Sequence, residues 1–327
     1  MDLTTTPNLH TYLTTHSHPI QTLTPLSGGT ANFVWRLTSP PAPPTIIKHA
    51  APYIASSPTR HPFPVSRMDF EASALQTLPA QLPPDDLVRT PQVYSYDAEE
   101  HVLMLADGGE RTLKAAYTDP GLDVRRCGVG LGRWLAGLHG ATRRVEMGDN
   151  QAAKVVYRYA YAGLAGAARE YGGDAGLGGR VDREYGSLLQ TDDECVCHGD
   201  FWPGNVLVGG RGEVLMVVDW EMVRRGCGGT DVGQFAAEAW LLDRFRGGRG
   251  LLGAFLAGYR EVVGPGRESL KRVAVHFGVH LAFWPTRVEW GSKEETKECV
   301  LFGQEVMRRA VDEDWEWLEK SVLKDLF

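Results

Sequence analysis

His198, Asp200 and Asn205 fall within one short stretch, "CVCHGDFWPGNVLV" (195–208), and Asp219 ends the apolar run "VLMVVD" fourteen residues after Asn205. A carboxylate such as Asp219 and an amide oxygen such as that of Asn205 are hard ligands, suited to Mg²⁺ bound to phosphates. A second carboxylate on the preceding loop, Asp200, is placed to accept a proton from an attacking hydroxyl. Phosphoryl transfer of the kinase type needs these three roles. The alternative for an Asp and an Asn five residues apart is a solvated turn.

The segment around them decides how they meet. Two short strands joined by "GGRGE" (209–213) form a hairpin that Asn205 enters and Asp219 leaves. Both residues are then expected at the same end of the hairpin. The run "HGDFWPGNVLV" followed by "VVDWE" resembles the aminoglycoside phosphotransferase family, which has a protein-kinase-like fold and includes choline kinase-like, ketosamine kinase-like and methylthioribose kinase-like branches. The resemblance spans roughly residues 20 to 320 and is densest at 198 to 233. It implies Asp200 as catalytic base, Asn205 and Asp219 as Mg²⁺ ligands, and His198 as a brace for the catalytic loop. Asp231, in "GGTDVGQF", matches a family Asp expected to hold loops or cap the next helix. His139, in "LAGLHGAT", matches a family Leu-His and is expected to pack or hydrogen-bond. For Glu221, beside Asp219, three roles stay open: supporting the site, touching substrate, or facing solvent.

A nucleotide also needs a cover for its phosphates, a cation to pair with them and a hinge for its base. "LTPLSGGTANFVWRL" (23–37) reads as strand, turn, strand. Ser27, Gly28, Gly29, Thr30 and Asn32 are the candidate cover, because the glycines permit close backbone approach. Lys48 sits in the apolar run "IIK", and Glu71 lies on the one helix of this half, in the order of a kinase Lys–Glu pair. "VLMLADGG" (102–109) resembles the connector between two lobes, with backbone groups near Leu105 and Ala106 for adenine.

The remaining elements follow from periodicity. The Pro-rich "TSPPAPP" (38–44) suits a surface loop, not a strand interior, and residues 52–67 read as loop. A helix is expected over 69–78 with Asp69 as its cap, strands over "QVYSYD" and "HVLMLA", and helices over 123–142 and 151–171. Gly-rich "EYGGDAGLGGR" (170–180) breaks the pattern, and residues 231–263, 268–284 and 294–322 read as helical. "GVGLGR" (128–133) lies in helical periodicity and follows no strand, so its glycines are small residues at a helix contact, not a dinucleotide loop. The expected fold class is α+β and bilobal: a β-rich nucleotide-binding lobe over 1–106 and a mainly helical catalytic and substrate-binding lobe over 107–327.

Composition excludes several classes. The chain has 327 residues, is 43% hydrophobic and carries a net charge of −7. That disfavours nucleic acid and anionic membranes as partners. The N-terminal segment lacks the basic-then-apolar pattern of a secretory signal. Five cysteines at irregular spacing form no disulfide framework, and Cys195 and Cys197 are expected to be small core residues of one strand face rather than a zinc site. A reduced, cytoplasmic protein is the expectation, and nothing in the chain specifies its oligomeric state.

The chain is thus expected to be an ATP- and Mg²⁺-dependent kinase of a small hydroxylated, amino-alcohol or amino-sugar molecule, with the carboxylates of Glu221, Glu238 and Glu289 and the indoles of Trp240, Trp284 and Trp290 expected near the acceptor. A protein Ser/Thr kinase fits less well, because Trp202 stands where such kinases place a cation and "DWE" stands in place of D-F-G. A catalytically silent ATP-binding pseudokinase is the alternative from another class.

Overall fold

The computed structural model describes residues 2–27, 29–57 and 59–327, so Gly28 of the candidate phosphate cover lies outside the described residues. The N-terminal part opens with helix α1 (Thr6–Thr15), which the sequence reading did not anticipate. Strands β1 (Thr22–Pro25), β2 (Phe33–Ser39) and β3 (Ala42–His49) follow, then helix α2 (Arg67–Thr77), a short strand β4 (Val88–Arg89), β5 (Val93–Asp97) and β6 (Val102–Ala106). Five of these strands form one antiparallel sheet in the order β1-β2-β3-β6-β5.

Strand alternation divides the work of this sheet. Trp35, Leu37, Ile47, Val102 and Met104 face one side and pack under α1 with Leu9 and Leu13. The intervening residues Val34, Ile46, Lys48 and Leu105 face the other side, where they line a cleft. Lys48 is therefore turned inward by the same period that buries Ile47.

Past residue 106 the chain is mainly helical. It runs through α3 (Leu113–Ala116), α4 (Val124–Ala141), α5 (Gln151–Tyr171), α6 (Ala175–Val181), strands β7 (Cys195–Cys197), β8 (Val206–Gly209), β9 (Val214–Val217) and β10 (Arg224–Gly226), then helices α7 (Gly228–Phe245), α8 (Leu251–Val262), α9 (Arg267–Phe283), α10 (Lys293–Val311) and α11 (Trp315–Lys320). β8 and β9 form the expected hairpin, with Val206 opposite Val217. β4 pairs in parallel with β9, so residues 88–89 belong to the sheet of the following lobe although they precede residue 106. β7 pairs with β10. Among the described residues no helix is long and apolar enough to cross a membrane.

Gly128 and Gly132 of "GVGLGR" serve helix packing. A Cβ on Gly132 would lie 2.2 Å from the Phe255 carbonyl oxygen, and one on Gly258 would lie 2.3 Å from that of Val129. α4 and α8 thus meet backbone to backbone, and alanine at either position would force them apart.

Four local expectations are corrected. "TSPPAPP" is not wholly a loop: Thr38 and Ser39 end β2, and Ala42, Pro43 and Pro44 begin β3. β3 pairs with β6 only from Thr45 onward, so the two prolines sit where the strand has a free edge. α2 starts two residues earlier than expected, and Asp69 accepts a hydrogen bond from the Tyr96 hydroxyl instead of capping. The Gly-rich stretch regains helix over Ala175–Val181, started by the Asp174 side chain, which accepts from the Leu177 N–H. Residues 231–263 and 294–322 each hold two helices. In the first, Gly247, Gly248 and Gly250 all take positive φ between them.

Candidate active site

The cleft between sheet and helices has a volume of about 540 Å³ and is lined by Ser27, Gly29, Lys48, Glu71, Asn205 and Asp219, with Leu105 and Ala106 on one wall. Its size is that of a small-ligand site. Lys48 Nζ lies 2.8 and 2.7 Å from the two carboxylate oxygens of Glu71 and 2.7 Å from Asp219 Oδ1. Burial opposes the Lys48 charge, but Asp219, Glu71 and Glu221 outweigh it and hold its pKa above the ordinary value. Burial raises Glu71 and would raise Asp219, yet the Lys48 ammonium keeps Asp219 below the usual carboxylate range. The cation is fixed and charged, and Asp219 is anionic with 37% of its side chain exposed to the cleft.

Asp219 has left-handed backbone, φ 69° and ψ 62°. Asp is among the few side chains that enter this region, at a cost of about 1–3 kcal/mol. The following residue pins it there. Trp220 is fully buried, its indole N–H donates to the Val217 carbonyl at 3.0 Å, and its ring meets His198 at 4.6 Å and Trp134 at 6.1 Å. The large indole of "DWE" therefore anchors the turn that swings the Asp219 carboxylate into the cleft.

The loop that carries Asp200 is held from behind. Asp231, buried at the start of α7, accepts from the backbone N–H of His198 at 2.7 Å and of Gly199 at 3.0 Å. Gly199 has φ +85°, and a Cβ there would lie 2.0 Å from the Met222 carbonyl oxygen. Burial lowers the His198 pKa and keeps the ring neutral. Its Nε2 then donates to the Val218 carbonyl at 3.1 Å while Nδ1 accepts from the Asp200 N–H at 3.2 Å.

Asp200 is received by two amides. The Asn205 Nδ2 donates to its Oδ2 at 2.9 Å and the Gln234 Nε2 to its Oδ1 at 2.7 Å. Burial, followed by the nearby Asp219 charge, pushes its pKa up to about 6. A carboxylate in that range is still ionised near neutrality and is a better base than an ordinary Asp. Asn205 also donates to the Asp200 carbonyl at 2.9 Å. Its amide nitrogen is thereby committed to Asp200, and its oxygen takes no hydrogen bond among the described residues.

Not every candidate reaches the cleft. Thr30 does not line it, and Asn32 is turned into a buried network. The Asn32 amide donates to Glu221 Oε2 at 2.7 Å and its oxygen accepts from Arg67 Nε at 3.0 Å. Burial and Asp219 push Glu221 up to about 8. Glu221 is thus a buried tie between the β1–β2 turn, α2 and the turn that carries Asp219, not a solvated residue. Residues that sequence reasoning missed are Arg67, Asn150 and Gln234. Asn150 caps α5 and donates to the carbonyls of Glu221 and Val223, both at 3.0 Å. Gln234 had one signal, its place three residues after Asp231 on the same helix.

A further polar group lies one turn beyond Gln234. Glu238 is buried. Its Oε1 lies 2.9 Å from His280 Nε2, and its Oε2 has no hydrogen-bond partner among the described residues. The Lys114 ammonium lies 3.6 Å from Oε2, 4.8 Å from the centre of the Trp202 ring and 4.3 Å from that of Trp290. Glu289 is exposed, Trp240 stacks on Phe302 and Trp284 packs on Phe283.

Residues 22–272 match the family model described as the phosphotransferase enzyme family. The 4-hydroxytryptamine kinase of Psilocybe cubensis is 28% identical, over 92% of this chain and 92% of the relative. That of Psilocybe cyanescens is 28% identical, over 96% and 95%. Aminoglycoside phosphotransferase APH(4)-Ia superposes with a TM-score of 0.55 at 13% identity, covering 94% of this chain and 99% of that one. The chain belongs to the phosphotransferase enzyme family and has its protein-kinase-like α+β fold.

Proposed function

We propose that this member of the phosphotransferase enzyme family transfers the γ-phosphoryl group of ATP to a hydroxyl of a small molecule that also carries an amine. The observation that carries the reading is the convergence, at one end of the cleft, of the Lys48–Glu71 pair, Asp219 and the Asp200–Asn205 pair. Residues 1–106 would supply most of the nucleotide side, and residues 107–327 the catalytic loop and the acceptor side.

ATP would lie under the β1–β2 turn, with Ser27 and Gly29 over its phosphates and adenine against Leu105 and Ala106. Lys48, already oriented by Glu71, would pair with the phosphates. The free amide oxygen of Asn205 and the partly exposed carboxylate of Asp219 are an oxygen donor set that fits Mg²⁺. When bound, that ion would neutralise charge on the phosphates. Asp200 would accept the acceptor's hydroxyl proton, its two oxygens oriented by Asn205 and Gln234. Positioning and electrostatics would supply most of the rate.

The amine is argued from Glu238. Trp202, Trp290 and Glu238 already hold an ammonium, that of Lys114, by cation–π contact and charge. Gln234 touches Asp200 and Glu238 lies one turn farther along α7, about 5–6 Å away. A substrate ammonium taking the place of Lys114 would put a hydroxyl a short carbon frame away at the base. The 4-hydroxytryptamine named for the Psilocybe relatives has this pairing of hydroxyl and amine.

An ADP-release screen over hydroxylated amines, each beside its N-acetyl analogue, tests the reading. Turnover of free amines and loss of kcat/KM by tenfold or more on N-acetylation is the expected result. Equal turnover of both forms would remove the amine from the proposal, and phosphorylation of proteins alone would remove the small-molecule acceptor.

A further inference from the structure

Behind the catalytic loop lies a cluster that phosphoryl transfer does not use. Cys195 and Cys197 leave the same face of β7, because they are two residues apart on a strand. α4 brings His139 against them. The two sulfurs and one imidazole nitrogen all lie within 4.8 Å of one another, and all three residues are buried. All five cysteines are free thiols. A separate cavity of about 360 Å³ reaches this cluster, lined among others by His139, Glu194, Cys195, Gly228, Gly229 and Tyr259.

Three independent features distinguish the cluster from ordinary packing. The first is the donor set and its spacing. Zinc bonds of about 2.3 Å to sulfur and 2.0–2.1 Å to nitrogen place tetrahedral ligands about 3.6–3.8 Å apart. Atoms already within 4.8 Å need close by only about 1 Å. The second is the orientation of the imidazole. His139 Nε2 lies 3.4 Å from Asp231 Oδ2. A metal-bound imidazole characteristically gives its other N–H to such a carboxylate. The third is access. A Cβ at position 228 would lie 2.6 Å from His139 Nδ1, so glycine there leaves room beside that nitrogen, whose present partner is the Tyr259 hydroxyl at 3.0 Å, a group that an ion would displace toward the cavity it lines. The cavity lies on the same side, because Gly228 lines it.

We propose that Cys195, Cys197 and His139 form a site for a thiophilic metal ion, Zn²⁺ in the reduced protein, with the fourth position open to the cavity. Binding forms two metal–sulfur bonds and one metal–nitrogen bond, and both thiol protons leave to solvent. The site is joined to the catalytic loop in two ways. Cys197 directly precedes His198, and Asp231 links His139 to the backbone of His198 and Gly199. Occupancy therefore changes turnover without competing with nucleotide.

The test uses reduced, metal-free full chain, with Mg²⁺ in excess so that the oxygen ligands of the cleft are already served. Co²⁺ is the probe, because thiolate ligation gives it a charge-transfer absorption. One equivalent is expected to produce that band. Cys195→Ser and Cys197→Ser should each abolish it, while Cys127→Ser and Cys299→Ser should keep it. Should a serine variant fail to fold, wild-type protein still decides: Zn²⁺ should shield Cys195 and Cys197 selectively from alkylation, read by peptide mass. No band at stoichiometric Co²⁺, a band that survives Cys197→Ser, or equal alkylation with and without Zn²⁺ would overturn the proposal.

Discussion

Replacing Lys48 by methionine removes one ammonium and leaves the aliphatic stem in place. The consequence is set by what the ammonium holds. It bridges Glu71, which is fully buried, and Asp219, whose side chain is 37% exposed. Removing one partner of a buried pair costs about 3–5 kcal/mol, because the other charge is left uncompensated. Only the Glu71 leg counts at full weight, since water can solvate Asp219, so the expected loss at pH 7 is about 3 kcal/mol. In this variant burial acts on Glu71 without its cation, and its folded pKa stands above the unfolded value. A carboxylate raised in this way contributes stability that is fully present below its unfolded pKa and is lost as pH rises through the folded pKa. The deficit should therefore shrink as pH falls from 7 toward 5. Lys48→Met with Glu71→Leu replaces the pair by apolar groups and should recover most of the loss, while nucleotide affinity stays low in both proteins. Urea denaturation of the single and double variants measures this. A single variant within about 0.5 kcal/mol of wild type, or a deficit that Glu71→Leu leaves unchanged, would refute the account of the buried pair.

Three other outcomes are expected. Asp219→Ala should weaken Mg-ATP binding at least tenfold in calorimetry while changing metal-free nucleotide binding far less, since it removes an anionic oxygen ligand. Because Asp200 is pushed up to about 6, kcat/KM should be flat above pH 7 and fall about tenfold per unit as pH drops below 6, where the base becomes protonated. Gly199→Ala should lower the melting temperature by several degrees, because a Cβ would meet the Met222 carbonyl oxygen at 2.0 Å on backbone with φ +85°.

What could be read from sequence was what is local. Asn205 and Asp219 flank one hairpin, so strand period and turn length alone place them at one end, and the structure pairs Val206 with Val217 between them. Lys48 was singled out by its order relative to Glu71, the acidic residue on the one helix of the same half, and the structure joins the two at 2.7 Å. On the proposed acceptor side the sequence offered residue types, Glu238 and Trp290 among them, but not their meeting. Lys114, Trp202, Glu238 and Trp290 come from α3, the catalytic loop, α7 and the segment before α10, and no local period ties them. Asn32 illustrates the converse. Its position in a Gly-containing turn suggested phosphate, but Arg67 and Glu221, remote in sequence, turn it inward. Pro43 and Pro44 were taken for loop because proline cannot donate to a ladder. They are tolerated in β3 because β6 pairs with the strand only beyond them.

The central claim is that Asp200 takes the proton from the acceptor hydroxyl in a cleft that binds Mg-ATP independently of it. The direct measurement pairs ADP-release kinetics of Asp200→Asn, on the best acceptor found for wild type, with Mg-ATP calorimetry on the same preparation. Loss of kcat by roughly 10²–10⁴-fold with Mg-ATP affinity within a few-fold of wild type is the result this account predicts. Turnover of the variant within a few-fold of wild type would contradict it. So would a wild-type protein that binds Mg-ATP and phosphorylates nothing across a broad panel of small hydroxylated molecules.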